Sequence, residues 1–168
     1  RADILEELGY KAEDIKNFDD IEEVLKKCQE VHPELYPMIP SDLNNGCFLN
    51  YVKGEFDVVT SGVGVDIDDD ASDGITVINT YDTEKYKEMA EKAYDWNQKG
   101  YFMPDSTTNT TTRQDLFRAN TAFSYYGNQH PGTATQETMN SGKEIVSIPI
   151  GRSTISTSSV NFCQWAIP

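Results

Sequence analysis

The sequence lacks a long apolar run and a signal peptide, and it contains few cysteines. A transmembrane helix takes about 20 consecutive apolar residues, and no such run occurs among the 168 residues. We therefore expect no direct membrane insertion by these residues. The chain opens inside a helical pattern at 1–8 and closes on an apolar segment at 162–168. This predicts that residues 1–168 are a single lobe of a larger protein.

Cysteine and histidine are too scarce and too scattered to predict a catalytic or metal site. Cys28, Cys47 and Cys163 form neither a CxxC motif nor a Cys/His ligand spacing. A zinc site and a disulfide scaffold are therefore not expected, although a single disulfide stays open. His32 precedes a proline and predicts a helix end, whereas His130 falls in a loop without a nucleophile motif. We expect no metal, no cofactor and no catalytic residue.

Basic residues are half as frequent as acidic ones. The sequence has 14 Lys and Arg against 28 Asp and Glu, which gives a net charge of −14 at pH 7. Such a chain repels phosphate backbones and anionic lipid headgroups. On electrostatic grounds we therefore expect neither nucleic acid nor membrane surfaces as partners, and the acidity by itself identifies no ligand.

An acidic run, Asp66–Asp70 with Asp73, invites comparison with a calcium-binding loop. An EF-hand loop that starts at Asp66 needs Gly at its sixth position and Glu at its twelfth. Those positions hold Ala71 and Val77, so the motif fails and a solvated hairpin tip is predicted. Other carboxylate pairs are too numerous among 28 acidic residues to identify a glycosidase.

Helical and strand patterns alternate along the chain, which predicts an α/β fold with a mixed sheet flanked by helices. Asn17 followed by Asp20 resembles a capping box, and Thr83 is a second N-cap candidate. The predicted helices are 1–8, 17–32, 83–99, 113–119 and 134–140. The predicted strands are 36–40, 62–67, 74–79, 121–126, 144–150 and 162–168, and the pair 62–67 and 74–79 is expected to form a hairpin.

Aromatic side chains beside polar loop residues indicate a sugar site. Most aromatics are expected in the core, among them Tyr94 and Trp96 on one face of a predicted helix. At a strand end, however, an aromatic ring can stack on a sugar while amides and carboxylates bind its hydroxyls. The stretches Tyr126–Gln129 and Asn161–Trp165 have this composition.

Four groups of segments follow one another along the chain: 3–10 with 17–21, 81–86 through 95–101, 119–127, and 156–160 with 165–168. In this order they resemble the extracellular solute-binding proteins of family 1, the substrate receptors of bacterial ABC importers. Asn120 stands where that family has a turn glycine. The chain is most similar to the Gram-positive branch, which carries a lipoprotein anchor and a C-terminal domain of unknown function.

The resemblance implies a non-catalytic receptor lobe that binds an oligosaccharide against a first lobe and passes it to an importer permease. It implies an extracellular, membrane-anchored location for the full-length protein. Maltose-binding relatives have an aromatic residue where this chain has Gln129. This difference disfavours maltodextrins as the ligand and leaves the identity of the sugar undetermined. The expected ligand-binding residues are Tyr126, Asn128, Gln129, Ser41, Asp42, Asn44 and Trp165.

Two other functions fit the sequence less well and stay open at this point. One is an extracellular glycan-active hydrolase fragment that uses an acid pair. The other is a non-catalytic surface adhesion module, which would have no concave pocket beside the strand ends.

Overall fold

The computed structural model describes residues 1–40, 56–60, 62–67, 76–106, 108–127 and 131–150, except for the side chains of 58–60. The chain divides into two compact units. One comprises Arg1–Phe48 and Asp95–Gly151, and the other comprises Leu49–Tyr94 and Arg152–Pro168.

Helices and strands alternate, which confirms the predicted α/β class. The helices are α1 (Ala2–Glu7), α2 (Phe18–Val31), α3 (Glu84–Gln98), α4 (Arg113–Arg118) and α5 (Thr133–Ser141). The strands are β1 (Tyr36–Ile39), β2 (Phe56–Thr60), β3 (Val63–Asp66), β4 (Ile78–Asn79) and β5 (Ala122–Tyr125). Short 3-10 turns lie at Ala12–Asp14 and Thr80–Asp82.

The N-terminus of α2 has the capping box that the sequence predicts. The Asn17 side chain accepts hydrogen bonds from the backbone N–H groups of Asp19 and Asp20, at 2.8 and 3.0 Å. In return the Asp20 carboxylate accepts from the Asn17 N–H, at 3.2 Å. Three N–H groups that have no partner within the helix are therefore satisfied.

Removing this cap is expected to destabilise the protein. Asn17→Ala should lower the free energy of unfolding by about 1 kcal/mol, since the N–H groups of the first turn lose their acceptor. Asn17→Ser is the matched control, because serine also caps helices and should stay within a few tenths of a kcal/mol of wild type. Urea denaturation of both variants measures the difference, and equal losses would contradict a capping role.

The other end of α2 contains His32 and Cys28. His32 is the C-cap residue and precedes Pro33, as predicted. Its Nδ1 lies 3.2 Å from a Glu34 oxygen and its Nε2 lies 3.3 Å from a Glu7 oxygen. One turn earlier, Cys28 is fully buried, and burial raises the pKa of its thiol to about 11 because a thiolate is poorly solvated there. Cys28 is therefore a small apolar core residue.

The first unit is built on parallel strand pairing. β1 and β5 pair in parallel, with Tyr36 opposite Ala122 and Ile39 opposite Tyr125. On its other side β1 forms a parallel bridge from Met38 to Phe102. The Met38 N–H donates to the Tyr101 carbonyl and the Met103 N–H donates to the Met38 carbonyl, each at 2.9 Å. Three chain segments thus run side by side in one direction.

α4 leads into β5 through a tight turn. Asn120 in this turn has a φ of +59°, a conformation that asparagine tolerates better than most residues other than glycine. This confirms the turn role expected of Asn120. α4 buries Leu116 and Phe117 against Ile39 of β1 and Ala122 of β5. This packing fixes the distance between α4 and the two strands.

Trp96 is the centre of an aromatic cluster in the first unit. It is fully buried, and its ring centroid lies 6.1 Å from Phe18, 6.2 Å from Tyr101 and 6.1 Å from Phe102. Its indole N–H donates to the Glu22 carboxylate at 3.0 Å. Burial of Tyr101 beside it raises the pKa of the phenol, because the phenolate would be desolvated.

The second unit contains the antiparallel sheet β2–β3–β4. β3 pairs with β4, with Gly64 opposite Ile78, which confirms the predicted hairpin between these segments; its turn, 68–73, lies outside the described residues. Between β2 and β3, Gly62 has a φ of +77°, and a Cβ there would lie 2.5 Å from the Tyr81 ring. Only glycine fits that position.

Two sequence predictions are wrong within the described residues. Residues 144–150 form no strand; the Glu144 carbonyl accepts from Ala2, and the Ile145 N–H donates to the Thr138 hydroxyl. Tyr94 is 68 % exposed, since residues two apart lie on opposite sides of a helix and Trp96 takes the inner one. Asp66 ends β3, inside the predicted strand 62–67, and pairs with Lys85 at 2.8 Å; the solvated tip predicted at 68–73 lies outside the described residues.

Candidate functional site

The carboxyl ends of the parallel strands meet at one edge of the first unit, and we call this the carboxyl edge. It is formed by Ile39 and Pro40 at the end of β1, by Met103, and by Tyr125 and Tyr126 at the end of β5. Ile39 and Tyr125 are paired directly. In open α/β sheets, ligands bind outside the carboxyl ends of the strands.

Two chain segments with predicted ligand-binding residues begin at the carboxyl edge. The segment with Ser41, Asp42 and Asn44 follows Pro40, and the one with Asn128 and Gln129 follows Gly127. These five residues and Trp165 lie outside the described residues. Tyr126 is therefore the one predicted site residue that the structure describes. It also describes Pro40 and Gly127, after which the two segments begin.

Tyr126 is half-buried and braced from within the first unit. Its ring centroid lies 6.1 Å from that of Phe18, at an interplanar angle of 47°. Phe18 in turn packs edge-on against Trp96. Aromatic pairs of this kind hold a ring in a defined orientation, which is what an apolar platform for a sugar ring requires.

A third polar segment also begins at the carboxyl edge. Residues 104–112 follow Met103 and lead to α4, and the described part is rich in threonine. Asn109 closes a local turn: its side chain donates to the Thr111 carbonyl at 2.8 Å and accepts from the Thr111 N–H at 3.1 Å. The parallel bridge of Phe102 to β1 locates this segment at the same edge as the other two.

Arg113, at the start of α4, lies over Tyr125. The guanidinium carbon is 4.9 Å from the centroid of the Tyr125 ring, a cation–π distance. Tyr125 also packs edge-on against Phe117, with the centroids 6.1 Å apart. The ring of Tyr125 is thus held between the apolar core and a positive charge.

Glu137 of α5 holds the guanidinium in place. Its carboxylate, of which only 4 % is exposed, accepts from Arg113 Nη2 at 2.7 Å and from Nε at 3.2 Å. The Gln114 amide donates to both Glu137 oxygens, at 3.3 and 3.2 Å. A buried carboxylate is tolerated because these donors replace the water that it loses.

Sequence reasoning missed this group, which we call the Arg113 cluster: Arg113, Gln114, Tyr125 and Glu137. Its members are separated by up to 24 residues, and the pairing depends on how α4 and α5 pack. An ion pair between two helices leaves no periodic trace in either helix, so the sequence pattern contains no signal for it.

In the part of the chain that the structure describes, none of the helices has the length and apolar content that spanning a bilayer requires.

Sequence comparison with known protein families and with curated proteins gives no match. Structure comparison finds the N-glycan transport solute-binding protein (NgtS) from Streptococcus pneumoniae, at 20 % identity and a TM-score of 0.63 over 86 % of this chain and 31 % of that one. The same protein in complex with Man1GlcNAc matches at 21 % identity and a TM-score of 0.54, over 71 % and 25 %. The chain spans about a third of the length of that protein, and it has the α/β fold of part of a solute-binding protein.

Proposed function

We propose that this chain is the substrate-binding lobe of an extracellular solute receptor of an ABC importer, and that it binds an oligosaccharide without catalysis. The observation that carries the proposal is the carboxyl edge. At this edge β1 and β5 are paired directly, and the two segments expected to contact the ligand follow these two strands. The ring of Tyr126, which packs against Phe18, lies at the same edge. Open α/β sheets bind small molecules at the edge where the carboxyl ends of their strands meet.

The fold likeness supports this proposal. NgtS is described as an N-glycan transport solute-binding protein, and it has been crystallised with the sugar Man1GlcNAc. We infer that the present chain acts as a receptor lobe and not as an enzyme. We therefore infer for the present chain the same class of ligand, with family 1, the lipoprotein branch and the extracellular location as parts of the proposal.

The proposed ligand-binding residues are of two kinds: aromatic side chains that stack on the sugar and polar side chains that bind its hydroxyl groups. In this proposal Tyr126 supplies a stacking face, Asn128 and Gln129 bind hydroxyl groups, and Trp165 contributes an aromatic contact. Hydroxyl-binding residues from the segment after β1 complete the set: Ser41, Asp42 and Asn44. All seven are side chains typical of sugar sites, in which an apolar platform is combined with a few polar groups.

The mechanism follows from a two-lobe design. Residues 1–168 supply one wall of a cleft and a first lobe supplies the other, so that ligand stabilises the closed form by contacting both. The importer permease then recognises the closed receptor. Half of the contacts alone give weak binding, because association has a fixed entropic cost.

The test is calorimetric titration of the full-length protein with a panel of neutral mono- and oligosaccharides. We expect one class of oligosaccharide to bind in the titration. In thermal unfolding, a free concentration of that sugar of about 100 times its dissociation constant should stabilise the protein by about 2.7 kcal/mol. Chromogenic glycosides serve as the control for catalysis and should not be turned over. Turnover of a glycoside, or no binding across the panel, would contradict the proposal.

A further inference from the structure

The loop between Met103 and α4 has no role in the proposed function, although both of its ends are held at the carboxyl edge. We call residues 104–112 the Thr-rich loop, of which the structure describes 104–106 and 108–112. Before the loop, the Met103 N–H donates to the Met38 carbonyl at 2.9 Å, on the side of β1 away from β5. After the loop, Arg113 lies over the ring of Tyr125 at the end of β5. To connect these two points, the loop passes the carboxyl end of β1.

Hydrogen bonds within the loop hold its backbone in a defined conformation. The Asp105 carbonyl accepts from the N–H groups of Thr108 and Asn109, at 3.0 and 2.8 Å, and from the Thr108 hydroxyl at 3.3 Å. The Asn109 side chain makes two hydrogen bonds to the backbone of Thr111, and these bonds enclose Thr110 in a turn. A loop that is ordered before binding loses less conformational entropy when it contacts a ligand.

The side chains of Asp105 and Thr110 take no part in these bonds. Both residues are exposed, and among the described residues neither the carboxylate nor the hydroxyl has a hydrogen-bond or ion-pair partner. Asp105 follows Met103 by two residues, so at most about 7 Å separates its Cα from that of Met103, which is bonded to β1. The carboxylate is therefore an unpaired acceptor close to the edge where the ligand is proposed to bind.

The chemistry of the two side chains suits a sugar. An ionised carboxylate has two oxygens and only accepts hydrogen bonds, and two adjacent hydroxyl groups of a sugar ring are a matching pair of donors. Hydrogen bonds to an ionised acceptor are about twice as strong as those between neutral groups. A threonine hydroxyl both donates and accepts, so that it binds a further hydroxyl in either direction.

We propose that the Thr-rich loop is a third ligand-binding segment of the carboxyl edge. In it the Asp105 carboxylate accepts hydrogen bonds from two adjacent sugar hydroxyls, and the Thr110 hydroxyl binds another one. The inference rests on the proposed function and deepens it, because it names two further binding residues and the feature of the ligand that they recognise.

The test is calorimetric titration of the full-length protein with mannosyl-N-acetylglucosamine, a neutral disaccharide with adjacent free hydroxyls. Asp105→Asn keeps the shape of the side chain but removes its charge and one acceptor oxygen, and we expect binding about tenfold weaker than in wild type. Thr110→Val removes only the hydroxyl and should weaken binding about threefold. Because neither side chain has a partner among the described residues, both variants should unfold at the wild-type temperature.

Glu30→Gln is the matched control, because it also replaces an exposed carboxylate by an amide. Glu30 lies in the last turn of α2, which leads to the amino end of β1, opposite to the carboxyl edge. Glu30→Gln and Asp105→Asn each remove one negative charge, so a difference between them does not arise from the net charge of the protein. Glu30→Gln should bind the disaccharide like wild type.

The outcomes separate this inference from the proposed function. Wild-type affinity in both Asp105→Asn and Thr110→Val would overturn the inference and leave the receptor function standing. A loss in Glu30→Gln as large as that in Asp105→Asn would also overturn it, since the effect would then be one of overall charge. Failure of the wild type to bind the disaccharide would overturn the inference, whereas binding of another sugar of the panel would still uphold the receptor function. No binding across the whole panel would overturn both.

Discussion

Trp96→Ala is expected to lower the free energy of unfolding by about 3–5 kcal/mol, as for other large aromatic residues truncated in a core. The Trp96 ring is fully buried and touches three other aromatic rings, those of Phe18, Tyr101 and Phe102. Truncation leaves a cavity that α2 and α3 cannot fill without moving their backbones. It also removes the hydrogen bond to Glu22. Urea denaturation monitored by circular dichroism measures the loss.

Tyr94→Ala is the matched control for Trp96→Ala. The two residues lie on the same helix, but Tyr94 is 68 % exposed. Its truncation should change stability by no more than about 0.5 kcal/mol. Similar losses at the two positions would contradict the inward orientation of Trp96 and with it the bracing of Tyr126 through Phe18.

Arg113→Gln is expected to cost about 3 kcal/mol of unfolding free energy, because it leaves the Glu137 carboxylate buried without its ionic partner. This value is the lower end of the range of losses that is usual when one partner of a buried ion pair is removed, since Gln114 still donates to Glu137. The solvent-exposed part of Arg113 has little bearing on this value, because the cost arises at the buried carboxylate.

The double-mutant cycle isolates the pairing. R113Q/E137Q removes the buried charge as well as its partner and should recover most of the loss, which makes the two substitutions strongly non-additive. Glu137→Gln alone should cost less than Arg113→Gln, since the guanidinium that it leaves behind reaches water. Additive losses would mean that the two side chains do not depend on each other, contrary to the distances in the structure.

The parts of the fold that the sequence predicts correctly are those fixed by local chemistry. Asn17 with Asp20 predicts a helix start because both hydrogen bonds are made within four residues. His32 with Pro33 predicts a helix end for a reason that involves only the adjacent backbone. The turn at Asn120 was expected from the family resemblance, and asparagine suits it because it tolerates a positive φ. These assignments need no knowledge of the rest of the chain.

The wrong predictions share the opposite property. The apolar stretch at 144–150 has strand composition, but the hydrogen bonds of Glu144 and Ile145 go to Ala2 and Thr138, and sequence pattern does not reveal these partners. Tyr94 has the helical spacing of a core residue, yet Trp96 takes the inner side of the helix and leaves Tyr94 68 % exposed. In both cases tertiary contacts decide the outcome, and the local sequence pattern does not contain them.

The candidate site was predicted only in part. Composition and resemblance identified Tyr126 and the segments that leave β1 and β5, and the parallel pairing puts the starts of those segments together. Arg113 and Glu137 were not predicted, because an ion pair between two helices leaves no periodic trace in either helix. The assignments of Ser41, Asp42, Asn44, Asn128, Gln129 and Trp165 stay predictions.

The central claim is that ligand binds at the carboxyl edge. Amide chemical-shift mapping of the isotope-labelled full-length protein, titrated with mannosyl-N-acetylglucosamine, tests it most directly. We predict that the shifts cluster at Tyr126, Gly127 and Asn109, while Leu35 and Thr121 at the opposite end of β1 and β5 stay unchanged. Shifts confined to that opposite end, or a tightly bound sugar that moves no resonance of this chain, would contradict the claim.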